Sequence, residues 1–321
     1  MSADWRPTAS RAALELRAAM LARARAFFAE RGVLEVETPI LGAAGTTDPQ
    51  IESLTTRVAG IAPPFYLGTS PEYAMKRLLA AGSGDIYQIC KVFRDEERGR
   101  WHNPEFTMIE WYRLDFDDAA LMTEVEEFAA RLLAPHRALP AAERLSYAGA
   151  LGRHAGVDAL RADAEDLRAA AVAHGIQCDA ELDRDGHLDL LMGLVVGPKL
   201  GRGRPTFVCD YPASQASLAR LKPGEPPVAA RFEFYVDGIE IANGFHELSV
   251  ASEQRARFVQ DIETRRRRGQ ALPAVDERLL AALGEGLPEC AGVALGFDRL
   301  AAVAAGAAAL REIMAFPIDR A

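Results

Sequence analysis

Residues 93–113, FRDEERGRWHNPEFTMIEWYR, place Arg94, Glu96, Glu97, Arg98 and Arg100 just ahead of an alternating run from Phe106 to Tyr112. Side chains two apart share one face of an extended strand. Arg94 and Glu96 therefore fall on one face, and Phe106, Met108, Glu110 and Tyr112 on one face of the second strand. An arginine fork fits phosphate oxygens, an aromatic face stacks a base, and carboxylates hold cations. Two readings fit this spacing: a solvated hairpin with surface ion pairs, or a face that holds a cationic substrate beside a phosphate and a purine.

Two further stretches could do chemistry. In GIEIANGFHEL, Glu240 and Glu247 flank a segment with Asn243 and Gly244. Two carboxylates converging across a bend can hold Mg²⁺ against nucleotide phosphates, or both can simply be exposed. In GVALGFDRL, Gly292 and Gly296 allow close backbone approach, Asp298 can cap the next helix, and Arg299 stands at its N-terminal end. That is a phosphate site, or an ordinary packed junction. The run Arg265–Arg268 closes a helix, where positive charge suits the dipole; a solvated helix end is expected, with a docking patch for acidic protein or RNA as the other reading. None of the six histidines pairs at metal-ligand spacing, although His102 and His246 lie inside these motifs.

These residues need elements to hold them. Residues 10–31 read as a helix with Ser10 as N-cap, Leu14, Leu21 and Phe28 recurring every seven, and Gly32 as the stop. VLEVETP alternates as a strand ending at Pro39. FYLGTSPEYAMKRLLAAG reads as a strand and then a helix, with Ser70 at the cap, Pro71 at the first helical position and Gly82 at the end. Residues 115–205 are Ala-rich and helical, a connection or insertion within one domain spanning 1–321. TFVCDYP is a strand, RFEFYVDGIEIANGF a hairpin turning at Asp237-Gly238, SEQRARFVQDIETRRRRG a helix, and CAGVALGFDRLAAVAAG a strand entering a helix. The class is α+β, with a mainly antiparallel sheet flanked by helices.

The 321 residues are 49% hydrophobic with a net charge of −9, enough for a large core and against a disordered chain. The acidic balance counts against RNA as the main partner, because polyanion affinity comes mainly from phosphate neutralisation. Four scattered cysteines without a Cys-x-x-Cys pair indicate neither zinc ribbon nor disulfide framework, but buried thiols in a reducing compartment. The N-terminus lacks a secretory pattern and no run of about 18 apolar residues occurs, so a cytoplasmic protein off the membrane is expected.

In this order RGVLEVETPIL, FRDEE…HNPEFTMIEWY and GVALGFDRL resemble motifs 1, 2 and 3 of the class II aminoacyl-tRNA synthetases. TSPEYAMKRLL, NPEFTMIEWY and ANGFHEL are similar to substrate-pocket segments of the lysyl enzyme. The resemblance runs from about residue 10 to the C-terminus. A lysyl-tRNA synthetase carries an anticodon-binding OB-fold ahead of motif 1; here the motif 1 helix begins near residue 10, so a catalytic core alone is expected. That architecture, with FPIDRA and YPASQASLA, resembles the bacterial ligases that attach β-lysine to a lysine of translation elongation factor P.

The resemblance implies ATP and Mg²⁺ as cofactors. It implies catalytic roles for Arg94 and Arg299, with Arg94 on the α-phosphate and Arg299 on the outer phosphates. Glu96 and Asn103 read adenine and Phe106 stacks on it, with Asp95, Ile241 and Gly296 beside the nucleotide. Glu240 and Glu247 take Mg²⁺. Ser70, Pro71, Glu72, Glu110, Tyr112, Glu247 and Ala294 line the amino acid. Motif 1, with Pro39, implies a homodimer. Ala294 stands where the lysyl synthetase usually has glycine, and its methyl disfavours an α-amino acid against a β-amino acid. The expected partners are β-lysine and elongation factor P, without tRNA. The rival readings are a stand-alone enzyme charging tRNA, a non-catalytic sensor of amino acid or ATP, and an asparagine-synthetase-like ligase.

Overall fold

The computed structural model describes residues 5–62, 64–178 and 182–321, so the N-terminal reading above lies partly outside the described residues. Helix α1 (Arg11–Ala29) begins as predicted, with Ser10 Oγ accepting the Ala13 amide. Its buried face is Ala13, Met20, Ala24, Phe27 and Phe28, so the expected seven-residue stripe holds best at Phe28. Such a spacing drifts by about 20° per repeat against a straight helix, and Leu14 ends 39% exposed.

Strand β1 (Leu34–Glu35) is shorter than VLEVETP suggested. It is the edge strand of its sheet, parallel to its single neighbour β5 (Ile86–Phe93), and Leu34 is 56% exposed. Strands β2 (Leu41–Gly42), β3 (Thr55–Thr56) and β4 (Phe65–Leu67) form a small separate sheet that leads into α2 (Glu72–Ala80). Ser70 Oγ accepts the Glu72 amide at the head of α2, but the cap position falls on Pro71 and the helix starts at Glu72, one residue later than the sequence predicts.

The main sheet adds β6 (Glu105–Leu114), β7 (Glu143–Ser146), β8 (Thr206–Pro212), β9 (Leu221–Lys222), β10 (Val228–Val236), β11 (Ile239–His246) and β12 (Cys290–Gly296). The order is β1-β5-β6-β12-β11-β10-β8-β7, with β9 beside β10; β1–β5 and β7–β8 are parallel and the rest antiparallel. This is the expected class. Ile109 and Trp111 of β6 and Ala291, Val293 and Leu295 of β12 enter a core shared with α1, α3 (Asp118–Leu133) and α9 (Phe297–Ala305). Phe28 stacks on Tyr87 with centroids 4.2 Å apart, and Phe128 closes on Trp111 at 5.1 Å. Alternation sends Met108, Glu110, Tyr112, Gly292, Ala294 and Gly296 to the opposite face, which floors a cavity.

The stretch 115–205 is less purely helical than expected. It supplies β7 as well as α4 (Tyr147–Ala155), α5 (Ala164–Ala173) and α6 (Arg184–Leu191), and β7 extends the sheet alongside β8. These helices bury a second core against Val208, Tyr211, Ala229 and Tyr235. The β10–β11 turn is Asp237-Gly238 as predicted, both at positive φ (54° and 81°), which a type I′ turn requires. Tyr235 faces Glu240 and Phe234 faces Ala242, so Ile241 is one extra residue, a bulge in β11. The bulge resets the alternation and puts Glu240 on the same face as Asn243 and its partner Glu233. Helices α7 (Ala251–Arg267) and α8 (Glu277–Gly286) pack with α2 through Met75, Leu79, Phe258, Leu279 and Leu283.

Candidate active site

The cavity above the sheet has a volume of about 770 Å³, within the range of sites that enclose a nucleotide-sized ligand. Arg94, Asn103, Phe106, Glu240, Ile241, Gly296 and Arg299 line it, as do Ser70, Pro71, Glu72, Glu110, Tyr112, Glu247 and Ala294. Asp95 and Glu96 are not among the lining residues. The strand ends at Phe93, and Glu96 turns outward at φ 62°. The Asp95 amide donates to Glu52 O (2.9 Å) while its Oδ1 accepts the Glu96 amide. Glu97, not Glu96, reaches the cavity and pairs with Arg94 at 3.4 Å.

One end of the cavity is built from carboxylates. Ser70 Oγ and Tyr112 Oη each donate to Glu110, both at 2.8 Å. Lys76 Nζ stands 2.7 Å from Glu72 Oε1 and 2.6 Å from Glu247 Oε2, and the Lys76 and Glu247 side chains are each only 1% exposed. Glu247 Oε1 has no hydrogen-bond partner among the described residues. Burial pushes Glu110 up to about 8, with repulsion from Glu72 adding to it and bonds from Ser70 and Tyr112 opposing it. Burial likewise pushes Glu247 up to about 8, against the attraction of Lys76. For Lys76, burial favours the neutral amine, but Glu247 and Glu72 outweigh it and hold the ammonium. Three carboxyls against one lysine leave this end short of cationic partners.

The other end collects arginines. Arg299 Nε donates to Trp101 O (3.1 Å) and its Nη1 to Glu240 O (3.0 Å), which fixes the guanidinium at the head of α9. Arg94 lies over the Phe106 ring, 5.2 Å from its centroid. His102 also lines the cavity, and burial followed by the charge of Arg299 lowers its pKa.

Several expected roles change here. The Asn103 side chain is engaged on both sides, donating to Glu105 O (2.6 Å) and accepting the Ile318 amide (2.9 Å). It ties the C-terminal segment to β6 while still lining the cavity. Asp298 does not cap α9; it is buried, accepting the Thr107 amide at 2.6 Å and pairing with Arg17. Of the run Arg265–Arg268, the last three are exposed as expected, but Arg265 lies buried against four acceptors.

The two expected Mg²⁺ carboxylates have different neighbours. Glu240 and Glu247 stand on either side of the bulge at Ile241, and both line the cavity. Glu247 is held by Lys76 at the carboxylate end, while Glu240 sits at the arginine end. After the bulge, the carboxylate sharing a face with Glu240 is Glu233, which is bonded by Arg231 and Tyr235 Oη. Desolvation and then repulsion from Glu233 raise the Glu240 pKa, a situation that a divalent cation relieves. Unlike Glu240 and Glu247, Glu233 does not line the cavity, and it has both carboxylate oxygens bonded.

Lys76 and Glu233 escaped the sequence reading, and Glu97 and Arg265 were named there without a site role. Lys76 carried a signal: it falls on the same helical stripe as Glu72, Met75 and Leu79, so its ammonium had to be buried or bridged.

Residues 2–320 match the family model of "tRNA synthetases class II (D, K and N)". The chain is 49% identical over 326 aligned residues to proteins named "Elongation factor P--(R)-beta-lysine ligase" from Salmonella dublin, Salmonella paratyphi B and Salmonella heidelberg, covering 100% of this chain and 99% of each relative. With its antiparallel sheet, its arginine and carboxylate ends and its three ordered motifs, the chain belongs to the class II tRNA synthetase family of the D, K and N type, in the company of these ligases.

Proposed function

We propose that this protein activates (R)-β-lysine with ATP as an adenylate and transfers it to the ε-amino group of a lysine of translation elongation factor P. The carrying observation is the buried carboxylate end, where Glu72, Glu110 and Glu247 face a single lysine and Glu247 Oε1 is unpartnered. A small amino acid with two ammonium groups balances that charge; a mono-cationic amino acid leaves one carboxyl buried without a partner. The ligase name shared by relatives at 49% identity supports the β-lysine and elongation factor P assignments.

Activation joins the amino-acid carboxylate to the α-phosphorus of ATP with release of pyrophosphate. Arg94 neutralises the charge that grows there and Arg299 holds the outer phosphates, so the enzyme works by positioning and electrostatics. Glu240 and Glu247, both lining the cavity, would hold Mg²⁺, which would supply neutralisation of phosphate charge. In the second step the neutral acceptor amine attacks the adenylate carbonyl, an amide forms and AMP leaves.

The reading extends to a homodimer, supported by Leu14, Leu34, Ile40 and Leu41 exposing apolar surface within the motif 1 region. A cytoplasmic setting is supported by four free cysteines; no helix among the described residues is long and apolar enough to cross a membrane. ATP–pyrophosphate exchange with (R)-β-lysine, (S)-β-lysine, α-lysine and aspartate tests the proposal. Preference for (R)-β-lysine is expected. Preference for α-lysine returns the protein to tRNA charging, and exchange with none of them identifies a sensor.

A further inference from the structure

Helix α7 presents Arg257, Asp261 and Arg265 at four-residue spacing, on one face, and each grips a loop at the cavity mouth. Arg257 Nη1 donates to Ser217 O and Ala219 O, both at 2.7 Å, and Asp261 accepts from Thr47 Oγ1 at 2.8 Å. Arg265 makes the densest set. It is 1% exposed and donates to Ala271 O (2.6 Å), Asp48 O (2.9 Å), Ile51 O (3.2 Å) and Glu52 Oε2 (2.5 Å). Gln270 adds a bond to Pro49 O at 2.9 Å. Residues 48–52 are thus fixed from below at nearly every step.

That loop reaches the chemistry through one antiparallel bridge. Glu52 O accepts the Asp95 amide (2.9 Å), and Asp95 follows Arg94, whose own amide donates to Pro104 O (2.9 Å) and closes the loop 94–104 at its stem. Among the described residues the Arg94 guanidinium has the Phe106 ring beneath it and two long polar contacts, Thr69 O and Glu97 at 3.4 Å each. Its reach into the cavity therefore depends on where its main chain is held. A buried guanidinium is a costly way to gain stability alone, but its rigid fork specifies the conformation of a loop that has no regular structure of its own.

We infer that Arg265 is a positioning residue for the ATP-dependent step, acting through the Glu52–Asp95 bridge to set the stem of Arg94. The inference rests on the ATP-dependent reading proposed above.

The test uses the full-length protein and the variants Arg265→Gln, Glu52→Gln, Arg94→Lys and Arg265→Gln with Arg94→Lys. ATP–pyrophosphate exchange is measured at varied ATP and at varied amino acid, beside amide hydrogen exchange without ligands. For Arg265→Gln, kcat/KM for ATP falls about tenfold or more, while KM for the amino acid stays within about twofold. Amides of 48–53 and 94–98 exchange faster, and those of Phe106–Leu114 do not. Adding Arg265→Gln to Arg94→Lys lowers activity by no more than about twofold further, because both act through one group. If Arg265→Gln does not fold, Glu52→Gln, which keeps the three carbonyl contacts of Arg265, carries the test with the same signs and smaller size. Unchanged ATP dependence in a folded variant, unchanged exchange at 94–98, or fully additive losses overturn the inference. Absence of pyrophosphate exchange in the unmodified protein overturns the functional reading instead, and hydrogen exchange then still decides whether Arg265 holds the Arg94 stem.

Discussion

Tyr112 and Gly292 face each other across β6 and β12, and the phenol ring occupies the space that a side chain at 292 would need. A Cβ on Gly292 would stand 2.2 Å from Tyr112 Cε1 and 2.6 Å from Glu247 Oε1. The ring and the carboxylate both lie over bare backbone, so the glycine sets the depth of the carboxylate end. Gly292→Ala is expected to cost about 1–3 kcal/mol of stability through overpacking and to abolish saturable β-lysine binding in calorimetry. A variant that binds normally would show that Tyr112 and Glu247 do not hold the amino acid.

Ala294 stands opposite Glu110, one alternation step from Gly292, and faces the cavity. Ala294→Gly is expected to improve use of α-lysine relative to β-lysine by roughly 10- to 100-fold, since a methyl group discriminates by about 1–3 kcal/mol. Pyrophosphate exchange with both amino acids measures it, and an unchanged ratio rules out the methyl as the selector.

Breaking the Lys76–Glu247 pair has two separable effects. Glu247→Gln leaves Lys76 with Glu72 alone, so a loss near the lower end of about 3–5 kcal/mol is expected in urea unfolding. Adding Lys76→Met removes the stranded charge and restores most of that stability, but amino-acid binding stays lost. Recovered binding in the double variant would mean that Glu247 serves the fold and not the ligand.

The pH dependence follows from Glu110 and Glu247, both pushed up to about 8 in the empty site. Between the ordinary carboxyl range, about 4.3, and that value, the folded protein holds protons that the unfolded chain has released. Stability of the unliganded protein therefore falls as pH rises through this window. A doubly cationic ligand needs the ionised carboxylates, so its binding releases protons and tightens from pH 6 toward 8. Thermal unfolding with and without β-lysine at several pH values checks both trends; a ligand-induced rise in Tm that shrinks across the window contradicts them.

Arg299 is fixed by two main-chain carbonyls at the head of α9, aimed where outer phosphates are expected. Arg299→Lys keeps the charge and loses the fork, and kcat/KM for ATP is expected to fall about 10²–10³-fold. Amino-acid binding measured without ATP is expected to be unchanged; a parallel loss there would place Arg299 at the wrong end of the cavity.

The sequence made the faces of regular strands legible. Phe106, Met108, Glu110 and Tyr112 share the cavity face because β6 is uninterrupted for ten residues. Prediction failed where the backbone leaves period two. Glu96 sits at positive φ, so counting by twos selected it over Glu97, and the bulge at Ile241 hid the relation between Glu240 and Glu233. Buried ions were harder still. Lys76 shows its local partner Glu72, but its second acceptor comes from 171 residues away, and Arg265 looks like a surface residue until the fold supplies acceptors more than 210 residues away. The extent of 115–205 as helix was overdrawn because a four-residue strand such as β7 becomes a strand only through its partner β8.

The single extra residue at Ile241 has a longer reach than its size suggests. Upstream of it β11 is in the phase that presents Glu240 beside Glu233; downstream it is in the phase that presents Asn243, Phe245 and Glu247 to the cavity. Deleting Ile241 would leave either half intact only by inverting the other. Point substitutions downstream, by contrast, leave the upstream phase untouched. One strand is thereby divided into two modules, so that selection among amino acids can diverge in one half while the other keeps a constant phosphate chemistry.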